Sequence, residues 1–315
     1  MKKRWLSLIS GVALLVGCTA SDPLAPTPPR AGEISLGTSG VLSRAPIESD
    51  GSNVPLQDMN GIQVIRGIDG PSATGFTTAS VASTARIAAN TTTMVLATRQ
   101  YFQNYNTDAH FVAFYPEADG FASGVASWTL DGIRDIMVTA PAKATYNVHG
   151  ASVNLSFRHL LARVDIKLVA ADDATAELYG KLKKAVITVP SEVELTLADD
   201  GTTTFAKKAA STATATLDFG EIALTTDGVT TNSGFMIFPE ATDLSQISLQ
   251  FENPNHSETS YPLSNVTLQA GHKTLIMITV TGQQIDLTVS VEPWKPATEG
   301  GGTGPGDVEL GDPTP

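Results

Sequence analysis

Cysteine is nearly absent from this chain: Cys18 is the only one in 315 residues. No internal disulfide can form, and no thiol nucleophile exists anywhere else. Histidine is sparse as well. His110, His149, His159, His256 and His272 are widely spread, with no His-x-x-x-His and no His-Glu pair at ligand spacing, so a zinc or di-metal site has no support. Gly-x-Ser-x-Gly, P-loop and Gly-x-Gly-x-x-Gly signatures are missing, and the Gly-rich stretch 300–305 has no strand before it or helix after it that would let it cradle a phosphate. Long 3.6-period segments are scarce. Basic charge is also in short supply, with 20 Lys and Arg against 32 Asp and Glu, a net of -12. Such a chain repels phosphate backbones, which excludes nucleic acid as a partner.

Long apolar runs are limited to one, Trp5 to Val16, which follows basic Lys2, Lys3 and Arg4. At about twelve residues it is too short to span a bilayer, which takes about twenty, and it reads as the core of an export signal. It ends in Leu15-Val16-Gly17-Cys18, a sequence similar to a bacterial lipobox, in which cleavage before the cysteine leaves a lipid-modified N-terminus. The expectation is a signal peptide over 1–17 and lipid attachment at Cys18. Acyl chains hold a protein on a membrane without a spanning helix, at about 0.8 kcal/mol per buried methylene. Loss of the three basic leader residues takes the net charge to -15.

Residues 18–30 carry four prolines and read as an extended tether, and 297–315 are Gly/Pro-rich and read as a flexible tail. Between them, short runs of Val, Ile, Leu, Phe and Thr alternate with Gly, Asp, Asn and Pro, an all-β pattern. The clearest are 111–116, 135–141, 152–170, 184–190, 233–240, 246–253, 273–280 and 285–294. Asp-Gly pairs at 69, 119, 131, 200 and 227 mark turns, and no Asp-rich loop has calcium-ligand spacing. One helical stretch is expected over 174–184. The fold class expected is two antiparallel β-sandwiches in tandem, over 31–148 and 149–296, with the boundary where the character changes near Ala140 to Gly150.

Several segments resemble the fimbrillins, the pilus subunits of Bacteroidetes. Asp-Ile-Met-Val-Thr-Ala-Pro (135–141) resembles that family's strand near the end of its first domain. Leu-Ser-Phe-Arg-His-Leu-Leu-Ala-Arg-Val-Asp-Ile-Lys-Leu (155–168) is similar to its most recognisable stretch. The closing 266–294, a glycine turn, two strands and Trp294, resembles its ending. The resemblance implies transthyretin-like sandwiches and a lipoprotein anchored in the outer membrane before it reaches the fimbria. It also implies that an arginine-specific protease removes the first strand and that another subunit donates a replacement. Partners would then be other pilus subunits, that protease and the membrane, with no cofactor and no catalytic residues. The matching region is 32–50, where Ile34 and Leu36 alternate as a strand should and Arg44-Ala45 follows as the expected cleavage site, with Arg30 as its rival. Beyond Trp294 only Asp-Val-Glu-Leu (307–310) is strand-like, a departure from shaft subunits that keeps tip, accessory and anchor positions open.

The residues by themselves leave a second class open, a monomeric surface lipoprotein that binds glycan through a sandwich face, with Tyr101, Phe102 and Tyr105 as a stacking platform. The simpler expectation is that these are half-buried strand or loop aromatics. Asp172-Asp173 and Asp199-Asp200 lie in polar turn-like segments unsuited to a glycosidase pair. His159 and Arg163, four apart in an apolar stretch, are expected to be a hydrogen-bonded histidine and a salt-bridged arginine at a sheet edge or domain junction.

Overall fold

The computed structural model describes residues 32–41, 55, 57–103, 107–146, 153–209, 211–231, 234–239, 246–253, 255, 259–262, 268–282 and 284–293. The protein is all-β. Its first strands are β1 (Glu33–Ile34), β2 (Leu36–Val41), β3 (Met59–Arg66), β4 (Val81–Ile87), β5 (Thr93–Leu96) and β6 (Gln100–Tyr101). Then come β7 (Ala109–Tyr115), β8 (Gly120–Ala122), β9 (Val125–Thr129), β10 (Met137–Thr139), β11 (Ala142–Ala144) and β12 (Val153–His159). The chain continues through β13 (Ala162–Ala170), α1 (Asp173–Tyr179), β14 (Leu182–Pro190), β15 (Glu192–Leu197), β16 (Thr203–Lys207) and β17 (Thr214–Asp218). It ends with β18 (Val229–Thr230), β19 (Phe235–Ile237), β20 (Gln246–Phe251), β21 (Thr259–Pro262), β22 (His272–Val280) and β23 (Ile285–Pro293).

Alternation dictates most of these strands. In β12, Val153, Leu155, Phe157 and His159 are buried while the residues between them are exposed, the period-2 pattern of a sheet with one covered face. β7 does not alternate, because it is covered on both sides. Ala109, Phe111 and Ala113 enter one core and Val112 and Phe114 another.

The largest sheet runs β10-β12-β2-β5-β4-β3-β7-β11, and β10 also pairs with β7. That second pairing closes the sheet on itself. The enclosed core includes Ile34, Leu36, Met59, Ile62, Ile87, Phe111 and Phe157. A second sheet, β16-β15-β9-β8, lies over the outside of this barrel-like unit, and Phe76, Phe114, Trp128, Val193 and Leu195 fill the space between. Two further sheets, β18-β13-β22-β23 with β19 beside β13, and β17-β14-β20-β21, share a third core built on Ile166, Leu168, Ile187, Ile247 and Ile276.

Three sequence expectations change here. Pairing is not purely antiparallel: β12 runs parallel to β2, and β13 runs parallel to β22 over eight residue pairs. Parallel neighbours need long connections, and these partners are far apart in sequence. The expected boundary at 148/149 is crossed by hydrogen bonding, since β12 belongs to the barrel-like sheet, and β9 leaves that sheet to pair with β15. The helix is shorter than the 174–184 expected. Asp172 caps it by accepting from the Thr175 amide, Gly180 ends it with φ 70°, and Leu182 already begins β14.

Asp-Gly turns behave as expected at two instructive places. Gly132 and Gly201 both adopt φ 81°, a conformation other residues resist, while the Asp131 carboxylate accepts from the Ile133 and Arg134 amides.

Candidate functional site

The N-terminal segment occupies a slot in the closed sheet. β1 pairs antiparallel with β6, Glu33 opposite Tyr101 and Ile34 opposite Gln100. β2 then inserts between β12 and β5, with Leu36 opposite Val153 on one side and Met94 on the other. The Val153 amide donates to Ser35 O at 2.9 Å and the Thr38 amide to Thr92 O at 2.8 Å. Arg99 donates to both carboxylate oxygens of Glu33, at 2.9 and 3.3 Å. Ile34 and Leu36 are buried, as their alternation requires, and Thr38 takes the next inward position. A register irregularity between Asn154 and Ser156 then brings Phe157 opposite Val41.

Magnitudes show how this strand is held. Burying Ile34 and Leu36 is worth about 1.5–3 kcal/mol each, and each ladder hydrogen bond adds about 0.5–1.5 kcal/mol net. Those gains suffice while the strand is tethered to the chain it fills. Removing it would open the barrel-like sheet, leaving unpaired edges on β12 and β5 and stripping cover from Met94, Val153, Leu155 and Phe157. An edge beside an apolar groove accepts any extended segment with apolar residues at alternate positions.

Ile34 and Leu36 therefore sit together where the sequence places a covering strand. Cys18, Arg30, Arg44, Ala45 and Tyr105 lie outside the described residues. Tyr101 is exposed, while Phe102 is half-buried and meets Tyr146 edge-on at 5.4 Å. His159 and Arg163 are both paired with carboxylates, His159 Nδ1 lying 2.8 Å from Asp135 Oδ2 and Arg163 Nε donating to Asp165 at 2.9 Å. Sequence reasoning missed the carboxylate partners and the parallel β2–β12 register. Among the described residues no group of three or more His, Cys, Asp or Glu is arranged to hold a metal ion, and no helix is long and apolar enough to cross a membrane.

The fold finds its counterpart among known proteins. The family model for fimbrillin-like proteins matches residues 55–294. The chain belongs to the fimbrillin-like family. Among solved structures it is similar to a candidate cell-adhesion protein of Bacteroides uniformis, with TM-score 0.56, 19% identity and coverage of 84% of this chain and 100% of that one. A candidate cell-adhesion protein of Bacteroides ovatus gives TM-score 0.51 at 15% identity, covering 83% and 96%. One from Parabacteroides distasonis gives 0.51 at 10% identity, covering 86% and 99%. At these identities the likeness is one of fold. No curated protein matches the sequence.

Proposed function

We propose that this chain is a subunit of a surface pilus that assembles by strand exchange after its N-terminal strand is cut away. The observation that carries the reading is the position of β2: a stave of a closed sheet that lies just N-terminal to Arg44-Ala45. Anchored by lipid at Cys18 in the outer membrane, the uncut subunit keeps its slot filled. Cleavage after Arg44 by an arginine-specific protease severs β1 and β2 from the rest of the chain. Once severed, the strand loses the high effective concentration that its tether provides, and a partner subunit's strand can compete for the slot. The same cut frees the subunit from the membrane, because Cys18 lies on the departing piece. The fold is organised as two tandem sandwiches, one around the barrel-like sheet and one around the core shared by β13, β14, β20 and β22.

The test uses the intact chain and an arginine-specific protease. A new N-terminus at Ala45, followed by an SDS-resistant ladder, is the expected result, and Arg44→Ala should remain lipidated and monomeric. Normal assembly of Arg44→Ala, or cleaved protein that stays monomeric with a donor subunit supplied, would overturn the proposal.

A further inference from the structure

The last strand has an edge that the proposed function does not use. β23 ends the sheet order β18-β13-β22-β23, and β22 is its one ladder partner among the described residues. The two strands pair without a bulge from Val280 opposite Ile285 to His272 opposite Pro293, nine residues of β23 in all. Strands that end the other sheets are shorter: β8 and β11 have three residues each, β21 four, and β16 and β17 five each.

Coverage changes abruptly across this pair. On β22, Thr274, Ile276, Ile278 and Val280 are all 0% exposed. Opposite them on β23, Val289, Leu287 and Ile285 are only half-buried against the same core, and Val291 is 38% exposed. Among the described residues the apolar row thus runs out to the edge with one flank open. Sheet edges are ordinarily blunted by an inward-pointing charge, a proline or a bulge. β23 has none of these before Pro293, and its two acids, Asp286 and Glu292, stand on the exposed row.

The strand is also complementary to itself. When two copies meet edge to edge across a two-fold axis, antiparallel pairing centred on Thr288 sets Ile285 opposite Val291 and Leu287 opposite Val289, twice over. On the other row Asp286 meets Ser290, Glu292 meets Gln284 and Thr288 meets its own counterpart. No like charges face each other, and Pro293 falls just outside the paired stretch, where its missing N–H costs nothing. Centring on Val289 instead would set Asp286 against Glu292, which is destabilising. A one-residue slip would set inward residues against outward ones. The chain's own tail fits less well: its strand-like stretch, 307–310, would bring Asp307 and Glu309 beside Asp286 and Glu292.

We propose that β23 is a docking edge for a second copy of this chain, which joins two copies into one continuous sheet through their β23 strands. Main-chain hydrogen bonds hold the pair, and the alternating apolar side chains of each copy cover the open flank of the other. A contact made by an edge alone comes apart in SDS. It is therefore distinct from the resistant ladder that reads strand exchange, and it needs neither cleavage nor a donor strand.

The experiment is disulfide trapping on intact cells with the uncut Arg44→Ala chain, so that strand exchange does not contribute. Thr288→Cys sets two thiols directly opposite, with Cα atoms about 4.5–5.5 Å apart, inside the range that a disulfide spans. Asp286→Cys sets them four residues apart along the ladder, about 13 Å, which is out of reach. Oxidation should give a dimer band from Thr288→Cys at least about tenfold stronger than from Asp286→Cys or from the chain with Cys18 alone, because geometry decides which thiols join. Adding Val291→Lys puts an ammonium on the apolar row and should remove the band, whereas deleting 297–315 should leave it. Equal trapping at 286 and 288, or trapping that survives Val291→Lys, would overturn the proposal. Trapping that appears only after 297–315 is deleted would also overturn it and make the tail the occupant. Should Val291→Lys fail to fold, the contrast between 286 and 288 still decides. Failed trapping leaves strand exchange standing, and failed assembly after cleavage leaves the docking edge standing.

Discussion

Leu36 on β2 lies opposite Val153 on β12 in parallel register, and both side chains are buried inside the closed sheet. The strand that seals the first core thus rests on one that the sequence places beyond the expected domain boundary. Leu36→Ala removes the main apolar contact of β2. The expected cost is about 2–5 kcal/mol, measured by denaturant unfolding, together with easier release of the N-terminal segment once it is cut. An unchanged midpoint would mean that β2 is not part of the cooperative core.

Glu33 and Arg99 make the charged contact at the start of this segment, with the arginine 35% exposed. Solvent screening limits such a pair, so Glu33→Gln should cost less than about 1 kcal/mol. The difference from wild type should shrink further in 1 M salt, where the screening length falls to about 3 Å. Thermal melts at two salt concentrations check this.

Gly234 is tied to Asp165. A side chain there would collide with the Asp165 carboxylate and approach Val164 O and Arg163 Nε at 2.7 and 2.8 Å. Asp165 is 1% exposed and bound by Arg163 and Lys273, so it cannot swing away without stranding a buried charge. Gly234→Ala should destabilise by about 1–3 kcal/mol or more, read as a lower melting temperature. Gly282→Ala, with open space around it, should leave stability nearly unchanged.

Cys18 is the proposed lipid site. Cys18→Ala should leave unprocessed precursor and abolish labelling by a fatty-acid analogue in cells. Undiminished labelling of the variant would place the lipid elsewhere or nowhere.

Much of the fold was legible in local patterning. The strands over 153–159, 273–280 and 285–293 follow from period-2 alternation, and the turns at Gly132 and Gly201 from Asp-Gly chemistry. The helix was overextended because Lys181-Leu182-Lys183-Lys184 suits a helix by propensity. In the fold, Leu182 is instead needed opposite Phe251 in the β14–β20 pairing.

By itself the sequence determined the all-β class, the scarcity of site chemistry, the family resemblance and the inward direction of Ile34 and Leu36, because each is written in composition or in neighbouring residues. Only the tertiary structure decided which strands are neighbours: β2 parallel to β12, β9 joined to β15, β10 closing the sheet against β7, and Asp135 brought to His159. Alternation states which face of a strand is buried but is silent about which strand will lie beside it. That choice is made by long-range packing, when cores of the right shape bring distant segments together.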